Sequence, residues 1–328
     1  MKFKENPFEL YPIGIDQLDL LFINREDKIR RAETILESGY ETPREISIIM
    51  GGRGVGKSSF LNFIKKMALE NDLSTAFYND FEEICSKSTQ ILKDTDVALI
   101  DDMDKLNDED AIEFYRASEA ILEENGFIFV CDRHQRSQET VNSRNFTGSQ
   151  FISLQRELET DKLHYFLEER MKNCIEDIDD FYFPYNDRAV GMASKRSRGN
   201  LRNFIHYARD GWRIAQSEDM KNVDKKEMEE AIISVDSAFL SGLDTTDFRI
   251  LWYSTIGQVN KSYLAHQCNI DRKTLNKHLD DKLSEIIIEE RSGMEVNLSS
   301  IYKTLPDGDE ILEKIFRNIG VKRSIVDG

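Results

Sequence analysis

The run Glu45-Ile46-Ser47-Ile48-Ile49-Met50-Gly51-Gly52-Arg53-Gly54-Val55-Gly56-Lys57-Ser58-Ser59-Phe60-Leu61 decides how the rest of the chain is read. It opens as a short apolar strand, turns through four glycines and ends as the start of a helix. Gly51, Gly56, Lys57 and Ser58 fit the spacing G-x-x-x-x-G-K-[ST]. The spacing has a chemical reason. Glycines let backbone N–H groups converge on phosphate oxygens with no Cβ in the way, and the following helix adds its unsatisfied N–H donors and partial positive charge. The stretch Gly51, Gly52, Arg53, Gly54, Val55, Gly56, Lys57, Ser58 and Ser59 is therefore expected to cradle a nucleoside triphosphate. Lys57 is expected to reach the β- and γ-phosphates, and the Ser58 hydroxyl to ligate Mg²⁺.

Downstream, Phe60 to Leu69 continues as helix, and Ser74-Thr75-Ala76-Phe77-Tyr78 reads as a second strand. Phe81 to Leu92 reads as helix. Asp96-Val97-Ala98-Leu99-Ile100-Asp101-Asp102 is then an apolar strand ending in acids, with Val97 coming 40 residues after Lys57. A buried parallel strand beside the loop, delivering a carboxylate from its C-terminal end, is what Mg²⁺–phosphate chemistry needs. Asp101 is expected to hold the metal through water and Asp102 to polarise the attacking water. Asp108 to Glu124 reads as helix, Phe127 to Cys131 as a fourth strand and Phe151 to Leu154 as a fifth. At the tip of the fourth stand Asp132, Arg133 and His134, which either contact the γ-phosphate or simply face solvent. Strands alternating with helices predict a parallel sheet covered on both faces.

From Thr160 the pattern is helical, over about 160–175, 186–195, 199–217 and 224–236. The run Lys195-Arg196-Ser197-Arg198 is basic within an acidic protein; such a run is either solvated or close to phosphate. Helices beginning at Phe248 and Lys261 follow, then one from an Asp271 cap through Leu283, and a hairpin turned at Ser292-Gly293. Together they predict a winged helix-turn-helix. Within 260–278, Lys261, Arg272, Lys273 and Lys277 stand against the single acid Asp271. That basic face suits duplex DNA, and a winged helix is used for protein contact as well. Asp309 to Ile319 reads as a closing helix. Upstream, Ile29, Ala32, Ile35 and Leu36 recur at helical spacing in a helix ending near Ser38.

Composition narrows the class. With 328 residues, 40% hydrophobic and 32% charged, the chain suits a soluble globular protein of two or three domains. Its apolar runs are far short of a membrane span. The start, Met1-Lys2-Phe3-Lys4-Glu5-Asn6-Pro7, lacks the apolar core of a signal peptide, so a cytoplasmic, intracellular address is expected. Cys85, Cys131, Cys174 and Cys268 lie far apart with no C-x-x-C pair, and the five histidines are scattered, which indicates neither a disulfide framework nor a zinc site. The formal charge of −17 argues against a nucleic-acid coat over the whole surface and leaves one basic face open.

These pieces in this order resemble the AAA+ ATPases, and within them the origin-recognition and replication-initiator (Orc/Cdc6-like) branch, over about residues 6–305. The resemblance implies that Asn6-Pro7-Phe8 and Phe22-Ile23-Asn24-Arg25-Glu26 frame the nucleotide, bringing in Phe8 and Arg25. Asp101 and Asp102 fall on the Walker B pair and Asp132 on the first sensor. Gly199-Asn200-Leu201-Arg202 is similar to the second sensor, with Arg202 reaching the γ-phosphate from a helical lid. Arg144 is the first candidate for an arginine finger acting on a neighbouring copy, with Arg133 and Arg136 as rivals. Two positions depart from the pattern: Asp102 stands where the family usually has Glu, and Asp132 where it commonly has Asn. A shorter carboxylate and extra negative charge near phosphate imply slow hydrolysis.

The expectation is a P-loop α/β domain with a five-stranded parallel sheet over 1–158, a helical lid over 159–240 and a winged helix with a closing helix over 241–328. It takes ATP or ADP with Mg²⁺, self-associates through Arg144 and holds double-stranded DNA, nucleoid-associated, as a nucleotide-controlled switch or assembly factor that recruits or loads a protein partner. The alternative is a signalling, transposition or replication regulator whose winged helix meets a protein.

Overall fold

Short apolar strands alternating with amphipathic helices require a layered sheet, because each strand is apolar on both sides and needs cover on both faces. The computed structural model describes residues 2–10, 18, 25–37, 46–51, 54–78, 95–101, 103, 127–132, 150–154, 159–255, 259–280, 283, 286–292, 295–300, 314, 315 and 318. The chain divides into two compact units, Tyr11–Glu157 and Met1–Leu10 taken with Leu158–Gly328.

In the first unit, α1 (Glu26–Glu37) precedes β1 (Ile46–Met50), α2 (Lys57–Glu70), β2 (Thr75–Tyr78), β3 (Val97–Ile100), β4 (Phe127–Asp132) and β5 (Gln150–Ser153). The strands form one parallel sheet in the order β2-β3-β4-β1-β5. Ile48 of β1 is paired with Val130 on one side and Phe151 on the other, and all five β1 residues are buried. On one face Ile49, Leu99, Phe129 and Ile152 pack with Phe60, Leu61 and Ile64 of α2 and Ala32, Ile35 and Leu36 of α1. The helical spacing read in α1 thus turns the expected stripe inward. The acid-tipped strand β3 is not the neighbour of β1: β4 lies between them. A parallel pair is joined by a crossover, and chain order does not dictate which neighbour that crossover reaches.

In the second unit come α3 (Thr160–Cys174), a short 3₁₀ turn at Ile178–Asp180, α4 (Asp187–Ser197), α5 (Leu201–Ser217) and α6 (Lys225–Leu240). Their starts are set by side-chain caps. Asn186 accepts from Ala189 N–H at 2.8 Å, Asn200 from Asn203 N–H at 3.2 Å, and Asp224 forms a capping box with Glu227. Phe204, Tyr207, Ala208 and Trp212 carry the buried stripe of α5. Then follow α7 (Thr245–Thr255), β6 (Val259–Asn260), α8 (Lys261–Cys268), α9 (Arg272–Asp280), β7 (Ile287–Ser292) and β8 (Glu295–Ser300). The hairpin forms as expected, with Ser292 opposite Glu295, and β6 joins it as an unforeseen third strand in the order β6-β8-β7. Helix α9 is described over Arg272–Asp280, and Leu283, the expected last residue, lies in a turn. Leu251, Leu264, Leu275, Leu283 and Ile315 share one buried cluster. The N-terminal residues belong to this unit: Phe3 bridges Ile175, and Lys4 N–H donates to Cys174 O at 2.8 Å. Cys131, Cys174 and Cys268 are buried free thiols. Among the described residues no helix is long and apolar enough to cross a membrane. The helices expected at 81–92 and 108–124 lie outside the described residues.

Candidate functional site

Strand β1 delivers the chain to Gly51, and α2 takes it up at Lys57. Gly54 (φ 83°) and Gly56 (φ 96°) occupy the left-handed region, which side-chain-bearing residues avoid. Gly56 is the N-cap of α2; its carbonyl accepts from Phe60 N–H at 2.9 Å, and no side chain caps the helix. At the loop's start, a Cβ on Gly51 would stand 2.6 Å from Val55 Cγ2, a distance non-bonded atoms do not tolerate. Lys57 Nζ donates to Gly51 O at 2.9 Å, drawing the ammonium back over the loop. Ser58 is half-buried and Ser59 buried in the first turn of α2. Arg25 is only 3% exposed and places Nη2 at 3.4 Å from Val55 O, a long hydrogen bond that braces the loop from α1's N-terminal side. The left-handed glycines, the bare Cβ position at Gly51 and the N-terminus of α2 fit a triphosphate with its Mg²⁺.

The sheet register sets the acids. Ile100 pairs with Val130, and Val130 with Ile48, so Asp101 lies level with Ile49, two strand spacings or about 10 Å aside. Asp101 N–H donates to Tyr78 O at 2.9 Å, which fixes its backbone at the end of β3. Asp132 pairs with Met50, the residue before Gly51. Asp101, Asp132 and the phosphate loop therefore share the C-terminal edge of the sheet, where open α/β sheets hold ligands. Gly52, Arg53, Asp102, Arg133, His134, Arg136 and Arg144 lie outside the described residues, as does the side chain of Asp132.

In the second unit, Asn6 and Pro7 lead a turn closed by Glu9 N–H to Asn6 O at 3.3 Å, and Phe8 is buried. Arg170 of α3 donates Nε to Pro7 O at 2.6 Å and Nη2 to Glu9 O, holding that turn down. Between α4 and α5 the chain reverses through two left-handed residues, Arg198 (φ 46°) and Gly199 (φ 82°). The Asn200 cap then makes Arg202 the second residue of α5. A cation there opposes the helix dipole. Among the described residues Arg202 has no hydrogen-bond or ion-pair partner. The basic run Lys195-Arg196-Ser197-Arg198 is the last turn and cap of α4. Its Arg196 is buried, with Nε and Nη2 both 2.8 Å from Asp236 Oδ2, while Tyr207 OH donates to Asp236 Oδ1 at 2.7 Å. Arg196 is thus a clasp joining α4, α5 and α6 and is unavailable to phosphate. Burial pushes the Asp236 carboxyl up; the Arg196 charge and the two hydrogen bonds pull the other way.

Asp271 caps α9 as the sequence indicated, accepting from Thr274 N–H at 2.8 Å. The hydrogen bonds from Thr274 hold its carboxyl below the usual carboxylate range. Leu275 and Leu279 point inward, leaving Arg272, Lys273, Asn276 and Lys277 exposed together, with Lys261 half-buried at the start of α8. His278 Nδ1 lies 2.6 Å from Asp247 Oδ1, tying α9 to the capped start of α7, where Asp244 N–H donates to Asp247 Oδ2 at 3.0 Å. Asn276 and His278 were not singled out by the charge pattern, because neither carries fixed charge.

No known protein family matches the sequence, and no curated protein does. Solved structures do. The Holliday junction branch migration motor RuvB of Thermotoga maritima aligns at a TM-score of 0.54 and 18% identity, covering 95% of this chain and 99% of that one. Aeropyrum pernix ORC2, solved as ADPNP-ADP complexes, aligns at 0.53 and 15% identity, covering 98% and 99%. Aeropyrum pernix ORC1 in complex with DNA aligns at 0.54 and 12% identity, covering 97% and 98%. The likeness is one of fold: the chain shares the architecture of these solved structures.

Proposed function

We propose that the chain binds magnesium-ATP at Gly51–Ser59 and acts as a nucleotide-controlled DNA-binding switch or assembly factor that hydrolyses ATP slowly. The observation that carries this reading is the loop itself, with left-handed Gly54 and Gly56, a Gly51 whose Cβ would press on the Val55 methyl, and Lys57 drawn over it. Lys57 balances phosphate charge. Ser58 and Asp101 hold Mg²⁺, whose chemistry when bound is to neutralise charge on the β- and γ-phosphates. Asp102 orients the attacking water, and Asp132 and Arg202 face the γ-phosphate. Arg144 completes the site on a neighbouring copy, so that assembly and nucleotide state are coupled. Phe8 and Arg25 frame the site, Arg25 by supporting the loop.

The order helix, strand, helix, helix, hairpin over 245–300 supports a winged helix, with α9 as the reading element. Lys261, Arg272, Lys273 and Lys277 contact duplex DNA. The DNA held by ORC1, and the Holliday junction on which the RuvB motor works, support that choice of partner. The expected address is intracellular. The charge of −17 favours one other reading, in which the same domain meets a protein. DNA affinity measured with ATP, with ADP and without nucleotide, at two salt concentrations, separates them. The switch reading expects tighter, steeply salt-dependent binding with ATP. Affinity that ignores both nucleotide and salt rejects it in favour of the protein partner.

A further inference from the structure

We propose that α9 reads the sequence of duplex DNA and not only its charge: Arg272 recognises a guanine and Asn276 an adenine in the major groove, no more than about two base-pair steps apart. The inference rests on the reading in which this domain holds duplex DNA, and it gives that partner a defined sequence.

Every side chain of α9 from Arg272 to Leu279 can be placed. Leu275 and Leu279 are buried in the core of the domain. Thr274 is spent on the cap, its N–H and Oγ1 donating to the Asp271 carboxylate at 2.8 and 3.0 Å. His278 is held by Asp247 at 2.6 Å. Arg272, Lys273, Asn276 and Lys277 remain, all exposed and at spacings of one and four that share a face.

These four differ in what they can recognise. Lys273 and Lys277 carry compact charges on flexible stems, suited to phosphate oxygens, and the Lys273 charge already acts on the Asp271 carboxylate. The Arg272 guanidinium and the Asn276 carboxamide are planar and bidentate. The first offers two parallel donors to guanine O6 and N7; the second offers an acceptor and a donor to adenine N6 and N7. Among the described residues neither has a hydrogen-bond or ion-pair partner. Asparagine is a poor helix former because its amide competes for nearby backbone groups. At 276 it stands mid-helix with no such bond, so both its donor and its acceptor stay available. An arginine in the first turn opposes the helix dipole, and α9 has no acid in that turn; an acceptor outside the chain would offset that cost. Four residues advance about 6 Å along a helix, against about 3.4 Å between stacked bases, which sets the separation of the two bases.

The test incubates the full-length chain, with ATP and Mg²⁺, with duplexes of random sequence and sequences the bound fraction beside its input. The expected result is an enriched motif holding a guanine and an adenine at that separation. Asn276→Ala should lose the adenine and keep the guanine; Arg272→Lys, which conserves charge, should lose the guanine and keep the adenine. In the best duplex, 7-deazaadenine, which lacks the N7 acceptor, should weaken wild-type binding about ten-fold and cause no further loss in Asn276→Ala. Binding of all duplexes alike, with no motif, overturns base reading while the DNA reading stands. A motif that neither substitution alters also overturns it. No binding of any duplex overturns the DNA reading and this inference with it, and leaves the face to a protein partner. Both variants are checked for folding by circular dichroism, and the motif and the 7-deazaadenine loss are measured on the wild-type chain, so a misfolded variant leaves the test decisive.

Discussion

Lys57 Nζ donates to the carbonyl oxygen of Gly51 at 2.9 Å, so the ammonium of the phosphate loop is bonded back to the loop's first glycine. The hydrogen bond closes a ring between Gly51 and Lys57, six positions apart. The ring needs Gly54 and Gly56 in left-handed backbone and Gly51 without a side chain. A prediction follows for Gly56→Ala, which puts a Cβ at φ 96° on the N-cap of α2. It should cost about 1–2 kcal/mol of stability by urea unfolding and weaken ATP binding by more than that loss explains. Wild-type affinity in a folded Gly56→Ala protein would show that the loop's backbone geometry does not form the site.

The Arg196–Asp236 clasp makes a second prediction. Asp236→Ala leaves a buried guanidinium uncompensated and should destabilise the helical unit by about 3–5 kcal/mol. Replacing both partners, Arg196→Met with Asp236→Leu, should restore most of that loss, because the penalty lies in the orphaned charge. Urea midpoints of the three variants check this. A loss under about 1 kcal/mol in Asp236→Ala would mean that the pair is solvated.

Asp96 supplies a pH dependence. Its Oδ2 accepts from Ser74 Oγ at 2.6 Å and from Ser74 N–H at 2.8 Å, pinning the start of β3 to β2. These bonds, the hydroxyl first, hold its pKa below the usual carboxylate value. The folded value being the lower one, the stabilisation is complete above the unfolded pKa of about 3.9 and is lost as pH falls through the folded value. Asp96→Asn should therefore be less stable than wild type near neutrality, with the gap closing as acid is added. Urea midpoints across that range test it; a gap that widens in acid would contradict the assignment.

On α9, Lys277→Ala should weaken DNA binding about equally for different sequences and lower the slope of log affinity against log salt by about 1. An unchanged slope would remove Lys277 from the phosphate contacts.

The loop was legible because apolar run, glycines and Lys57-Ser58 are contiguous in sequence, and the five strands because each is a short apolar run between helical patterns. Other features were not. That β4 sits between β1 and β3 depends on where crossovers land, which no local pattern states. Strand β6 is two residues long, below any periodicity, and exists only because β8 pairs with it. The run Lys195-Arg196-Ser197-Arg198 looks solvated in sequence because the carboxylate that buries Arg196 comes 40 residues later, at Asp236.

The central claim is that main-chain amides before Lys57 hold a magnesium-bound triphosphate. Isothermal calorimetry of the purified chain with ATP and Mg²⁺ tests it most directly, beside Lys57→Ala checked for folding by circular dichroism. The account predicts saturable binding at one site per chain, abolished in Lys57→Ala. No heat of binding from the folded wild-type protein, or equal affinity in the variant, would contradict it.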